Sequence, residues 1–367
     1  MNKLWEYKKI GDVCIVERGS SPRPIDKFIT NDKNGINWIK IGDTSDSMYI
    51  TETAQKIVPE GMRKSRYVKP GDFLLSNSMS FGHPYILKID GCIHDGWLLL
   101  RDEEGIFDKR FLYYYLSSKT TYEKLKSMAV GGVVNNLNSE MVRKMQVPVL
   151  SKKKQSEIAD LLDKLKKVIN ERKKEIQYLD ELIKARFVEL FGDPVLNDKK
   201  LPTVSGDSFF KLSNGKAVSE EKRYKVGIPA YGGNGISWFT DKPLIADDTL
   251  VVGRVGFQSG NIHYAKGPLW VTDNAMYISK YDKDKFDLMF LCDLMQHVDF
   301  SRFQDAGDLK KITQKPFMKF QYILPSIALQ QQFVDFKRQV DKSKAAVQKA
   351  LDETQLLFDS LMQEYFG

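Results

Sequence analysis

The sequence predicts an α+β protein. Two mixed α/β domains are joined by two long helices that pair as an antiparallel coiled coil, and a pseudo-twofold internal repeat relates the halves. Three observations predict it. Residues 147–192 align without a gap on residues 322–367 after a shift of 175 positions: Gln155 falls on Gln330, Ile158 on Phe333, Leu182 on Leu357, and Phe191-Gly192 on Phe366-Gly367. A repeat of that length is a duplicated domain rather than a solenoid. Within the first copy, steps of four and three from Ile158 reach Leu162, Leu165, Ile169, Arg172, Ile176, Leu179, Ile183, Arg186 and Leu190. This is the heptad spacing of a coiled coil. The second seam runs Phe333, Lys337, Val340, Lys344, Val347, Leu351, Thr354, Phe358, Leu361, Tyr365. Finally, β-rich apolar runs with turn residues before them recur at an offset of 176: Gly71-Asp72-Phe73-Leu74-Leu75 and Asp247-Asp248-Thr249-Leu250-Val251.

The expected organisation is a globular domain over 1–148, a helix over 149–194, a second globular domain over 195–324 and a second helix over 325–367. Aromatic helical segments are expected at Phe111–Leu116 and Leu288–Leu291, and a short strand at Val13–Val16. Neither amphipathic face of the long helices has another cover in the chain, so mutual pairing is expected.

A chain of 367 residues is long enough for two cores. The opening Met1-Asn2-Lys3-Leu4-Trp5-Glu6-Tyr7 has no apolar leader core and no run spans a membrane, so a cytoplasmic location is expected. Cys14, Cys92 and Cys292 are far apart and read as buried thiols of a reducing compartment. The net charge is +8; residues 1–150 carry 22 Lys and Arg against 18 Asp and Glu, and residues 195–324 carry 18 against 15. Both globular stretches are therefore mildly basic, which permits a polyanionic partner.

Catalytic signatures do not emerge. No phosphate-binding GxxxxGK[ST] loop is present, and His83, His94, His263 and His297 form no metal or triad pattern. Asp207 with Glu220-Glu221-Lys222 has only the outline of a nuclease metal site and reads as an exposed charged loop. No metal and no cofactor of the chain's own are expected.

Several loops carry residues suited to nucleic acid. Arg18, Ser20, Ser21 and Arg23 lie in a small-residue loop that lets backbone approach phosphate. Lys40 precedes Ile41-Gly42-Asp43, and Arg63, Lys64 and Arg66 form a compact basic cluster. Asn77, Ser78 and His83, then Asn135 and Asn136, offer groups for base edges. In the second half, Lys216, Tyr231, Gly232, Asn234, Arg254, Gln258, Lys310 and Lys311 have the same character. Arg254, between glycines, is the foremost candidate for a guanine edge or a phosphate.

The chain resembles the specificity subunits of type I restriction-modification systems. The resemblance rests on Val147-Pro148 with Gln155-Ser156-Glu157-Ile158-Ala159, on Leu324-Pro325 with Gln330-Gln331-Gln332-Phe333, and on both Phe-Gly helix ends. Trp38–Asp43, Tyr231–Ile236 and Val252–Gly256 are also similar to the family. The second helix departs in carrying three glutamines where the first has one. The resemblance implies that each globular domain is a target recognition domain reading one half of a bipartite, asymmetric site in double-stranded DNA. It further implies that the helices set the spacer and dock two methyltransferase subunits. These hold S-adenosylmethionine and modify adenine, and motor-nuclease subunits join for restriction. The chain would be a non-catalytic subunit. The rival is a coiled-coil protein-interaction scaffold with no DNA target.

Overall fold

The computed structural model describes residues 5–77, 82–129, 136–305, 307 and 310–367. The chain divides into two compact units, residues 1–173 with 349–367, and residues 174–348. Each unit is therefore a globular domain plus the start of one long helix and the end of the other. The long helices are Lys152–Phe191 and Ile327–Phe366.

In the first unit two five-stranded sheets face each other. One has the order Ile15–Arg18, Trp97–Arg101, Phe73–Ser76, Pro84–Leu87, Tyr49–Ile50; the other runs Ile29–Thr30, Gln55–Ile57, Ile36–Ile39, Gly91–Ile93, Arg66–Val68. Side chains alternate across a strand. Leu98 and Leu100 accordingly join the core beside the helices, while Trp97 and Leu99 join the core between the sheets. The uninterrupted apolar run is explained by burial on both faces. The second unit repeats the plan with four strands ordered Phe210–Asn214, Ala275–Tyr281, Thr249–Gly253, Ile262–Ala265, and three ordered Gly235–Thr240, Ile228–Gly232, Trp270–Val271. Leu250 and Val252 again face the helices, with Val251 on the other side.

A two-stranded ribbon closes each domain at its neck. Glu6–Lys9 pairs with Gln146–Val149, and Thr203–Ser205 pairs with Gln321–Ile323, both antiparallel. Beyond each neck the long helix starts with a buried glutamine. Gln155 accepts from the Asp108 amide (2.7 Å) and donates to the carbonyls of Ile106 (3.1 Å) and Leu150 (2.8 Å). Gln330 accepts from the Asp287 amide (2.9 Å) and donates to Lys285 (2.8 Å) and Pro325 (2.9 Å). Asp108 and Asp287 are the N-caps of the aromatic helices Lys109–Ser117 and Leu288–Val298. The amide thus ties the long helix to the cap of the aromatic helix, twice, with the same three bonds.

The far end of the other long helix fills the remaining side. Phe366 packs edge-on to Phe111 and Tyr115, and Phe191 packs on Phe290 and Phe333. Within each unit the paired helices run antiparallel. In the first, Lys166 lies over Phe358 and Arg172 donates to the Ala350 carbonyl and the Thr354 hydroxyl; in the second, Asp180 meets Lys344 and Arg186 lies over Phe336. Arg172 and Lys344 thereby find polar partners across the seam, whereas the buried Nε of Arg186 has none. Lys337 donates to both oxygens of the buried Asp293 (2.8 and 2.6 Å).

One expected strand is corrected. Val13 closes a helical turn, Ile10–Val13, and the strand is Ile15–Arg18. Ile10 and Val13, three apart, both enter the core, and the Cys14 amide bonds back to the Ile10 carbonyl at 2.8 Å. Arg18 consequently ends the strand instead of lying in the loop beyond it.

Substituting Gln155 by Ala leaves one buried N–H and two carbonyls unpaired, a loss of about 3 kcal/mol. Gln330→Ala is expected to cost the same within about 1 kcal/mol, since the geometry is the same. Chemical denaturation of each variant checks this; a loss under about 1 kcal/mol for either would mean that water replaces the amide.

Candidate nucleic-acid interface

The first unit gathers its basic loops around one turn, residues 93–97. Arg18 donates to the Asp95 carbonyl (3.1 Å), as does the Asn77 amide (2.9 Å). The Asp95 carboxylate accepts from the Ser21 hydroxyl (2.8 Å) and pairs with Arg23 (3.4 Å). The Ser21 hydroxyl, helped by the Asp95 amide, His94 and Arg23, holds that carboxyl below the usual range against the opposing pull of burial. Ser20 donates to the Lys64 carbonyl (3.2 Å), and the Ser65 hydroxyl donates to the Ser20 carbonyl (2.8 Å), so the 63–66 cluster is stitched to the 18–23 loop. Arg66 pairs with Glu17 (3.2 Å), Lys64 lies over the Phe28 ring, and Arg63 is exposed after the turn Pro59–Met62. Five cationic side chains, Arg18, Arg23, Arg63, Lys64 and Arg66, thus share a patch with the carboxylates Glu17 and Asp95.

The other predicted residues of this half fall differently. Asn77 is fully buried, so its side chain builds the turn and does not face solvent. Lys40 donates to Gln55 (2.8 Å). Its neighbour Ile41 bonds His94 Nε2 (3.2 Å), which brings Lys40 to the edge of the patch. His83 is exposed near Tyr122 and lines a separate cavity of about 1000 Å³ that includes Lys119 and Phe358. Asn136 is half-buried beside Leu137, whose amide bonds the Asn77 carbonyl. Ser78 and Asn135 lie outside the described residues. The hub residues His94 and Asp95 were missed by sequence reasoning; a polar His-Asp-Gly turn after the buried Gly91–Ile93 strand was the available signal.

The second unit builds its patch from backbone ties between loops. The Arg254 amide bonds the Asn274 carbonyl (2.9 Å), the Ile312 amide bonds the Arg254 carbonyl (3.0 Å), and the Gly256 amide bonds the Lys310 carbonyl (2.8 Å). A Cβ on Gly253 would stand 2.4 Å from the Gln258 carbonyl oxygen, so only glycine allows this close approach. The Thr272 amide bonds the Tyr231 carbonyl (2.9 Å), and the Lys216 amide bonds the Val271 carbonyl (2.8 Å). Gly232, Asn234 and Gln258 line a cavity of about 410 Å³, together with Arg223, Trp238 and Asn274. Lys310 and Lys311 are exposed. Arg223 stacking on Trp238 and the 83% exposure of Phe257 were not foreseen.

Asp207 and Glu220 are exposed and lie in separate 3₁₀ turns, Gly206–Ser208 and Glu220–Lys222, and Glu220 pairs with Arg223. No group of three or more His, Cys, Asp or Glu placed to hold a metal occurs among the described residues. The cysteines are buried, and burial pushes the Cys14 and Cys292 thiols up to about 12 and Cys92 to about 11. No described helix is long and apolar enough to cross a membrane.

Comparison with known proteins fits this double construction. The family profile described as Type I restriction modification DNA specificity domain matches residues 2–178 and again 201–354. The chain belongs to this family. Among curated relatives, the MjaIX specificity subunit of Methanocaldococcus jannaschii is 26% identical over 196 residues, which is 52% of this chain and 44% of that protein. The chain thus spans less than half of that relative's length in the match. The EcoprrI specificity subunit of Escherichia coli is 24% identical over 303 residues, 75% of this chain and 72% of that one. Two solved structures share the fold. A type I S subunit from M. genitalium has a TM-score of 0.63 at 16% identity, covering 100% of this chain and 97% of its own. A chain from a study of complex assembly and conformational transition of the type I R-M system has a TM-score of 0.66 at 14% identity, covering 99% and 97%.

His94 makes a pH prediction. Its ring sits between the amides of Ile41 and Gly96, and burial lowers its pKa. The unfolded chain therefore binds more protons below about pH 6.5, so this stability is complete above that pH and lost as pH falls. The denaturation midpoint is expected to drop between pH 7 and pH 5, and His94→Gln to flatten part of that drop; an unaltered slope in the variant would contradict the assignment.

Proposed function

We propose that the chain is the non-catalytic, DNA-reading subunit of a type I restriction-modification complex, with each globular domain reading one half of a bipartite, asymmetric duplex site. The observation that carries this reading is the double occurrence of one plan. In a chain that matches a DNA specificity domain twice, each unit bears a tied set of cationic and amide-bearing loops. In the first domain Arg18, Arg23, Arg63, Lys64 and Arg66 contact phosphates, with Ser20, Ser21, Lys40, Asn136 and His83 as further contacts. In the second, Arg254, Lys216, Lys310 and Lys311 supply charge, while Asn234, Gln258 and Tyr231 meet base edges across the backbone of Gly232. Cationic groups position and amides discriminate.

The long helices set the spacer and dock two methyltransferase subunits, which bring S-adenosylmethionine and perform adenine methylation; motor-nuclease subunits join where DNA is restricted. Location in the cytoplasm, with the DNA and these partners, belongs to the same reading. A rigid link between two modest readers raises affinity through effective concentration only when the spacing matches.

The test is equilibrium binding of the chain with its methyltransferase partner to target duplex across salt concentrations. A steep decline of affinity with salt is expected from counterion release. Arg254→Ala should weaken binding about tenfold or more, and should reduce the salt slope by about 1 if the contact is to phosphate, or relax the sequence at one position if it is to guanine. Salt-independent binding, or none with partners assembled, would favour the protein-interaction scaffold. Shortening both helices equally should change the spacer and leave both half-sites intact.

A further inference from the structure

We propose that Phe257 is a wedge that stacks between base pairs of the DNA bound by the second domain. The proposal rests on the DNA-reading function and adds a mode of contact that neither charge nor amides supply. Phe257 is 83% exposed, whereas the next most exposed described phenylalanine, Phe303, is 41% exposed. A whole ring in water forgoes the favourable transfer that the other rings of this unit obtain in the core. A single exposed apolar residue needs no explanation by itself. Its setting gives it one.

The loop that carries the ring is pinned on both sides. The Gly256 amide bonds the Lys310 carbonyl, the Ser259 amide bonds the Gly256 carbonyl (3.0 Å), and Gln304 donates to the Phe257 carbonyl (3.4 Å). Gly256 takes a φ of +90°, a left-handed turn that projects the next residue outward. The ring is held out by a built turn.

What surrounds it argues for a polyanion over an apolar protein groove. The Lys310 ammonium lies 5.9 Å from the ring centroid, Lys311 follows it, and Arg254 is three residues upstream. The ring itself helps to line the 410 Å³ cavity, whose polar lining includes the amides of Asn234, Gln258 and Asn274 and the guanidinium of Arg223 against one carboxylate, Asp273. An aromatic ring flanked by cations and amides matches what a base step offers: a π-face, a phosphate on either side, and polar edges.

The repeat supplies a separate observation. Asn77-Ser78-Met79-Ser80-Phe81 falls on Gly253-Arg254-Val255-Gly256-Phe257 at the same offset of 176 as the preceding strands. Four of the five positions differ and the phenylalanine recurs. Phe81 lies outside the described residues.

The experiment uses the chain assembled with its methyltransferase subunits and a duplex carrying the methylated target, with 2-aminopurine placed in turn along the half-site of the second domain. Binding should brighten one position several-fold as it loses its stacking neighbour. Phe257→Ala should abolish that brightening and weaken specific binding about tenfold, with an unchanged melting temperature, since the ring packs on no core. Phe257→Leu should keep part of the signal, because aliphatic wedges also unstack. At positions other than the adenine that the methyltransferase takes out of the stack, tight, specific binding of the natural chain with no brightening, or brightening that survives Phe257→Ala, overturns the wedge and leaves the reading function standing. Absence of specific binding by the natural chain would overturn both.

Discussion

The structure depends on one buried side-chain amide used twice. Gln155 and Gln330 each satisfy a backbone N–H and two carbonyls at the point where a globular domain becomes a helix. Buried backbone groups must be paired, and a side chain that pairs three at once fixes the angle at which the helix leaves. The N–H it accepts belongs to the cap of the aromatic helix, which packs on the strands that carry the loops. The path from helix to loop is thus a chain of rigid contacts in each unit. Apolar packing alone would bury the same area at several angles; the amide selects one.

On that frame the domains separate two demands. The middles of the strands Trp97–Arg101 and Thr249–Gly253, residues 98–100 and 250–252, are buried on both faces and are wholly apolar. The loops they feed are tied by backbone bonds and short polar side chains, as at Asp95 and at Arg254. Backbone ties leave side chains at the loop tips free to differ. This is why the loop tips of the two halves have little in common while the helix starts keep the same glutamine. A reader whose specificity changes without loss of fold needs this division.

The repeat and the heptads made the helices and their pairing legible, because a seam is periodic in the chain itself. Gln155 and Gln330 were visible as aligned letters, but their partners were not: Asp108 and Asp287 are 179 apart where the glutamines are 175 apart. The turn of residues 93–97 was invisible because Arg18 and Ser21 meet Asp95 from more than 70 residues away. Val13 was misread because a four-residue turn with Ile10 leaves no period to detect. Charge pointed to the basic loops, yet it could not tell that Asn77 is buried, since burial of an amide depends on a carbonyl elsewhere in sequence.

The central claim is that this chain, and no partner, decides which DNA is modified. The direct measurement is a map of methylated bases in a methylation-free host that expresses an active type I methyltransferase partner with and without the chain. The account predicts a split motif that appears only when the chain is present. A motif that is the same without it, or no motif from a verified and active complex, would contradict the claim.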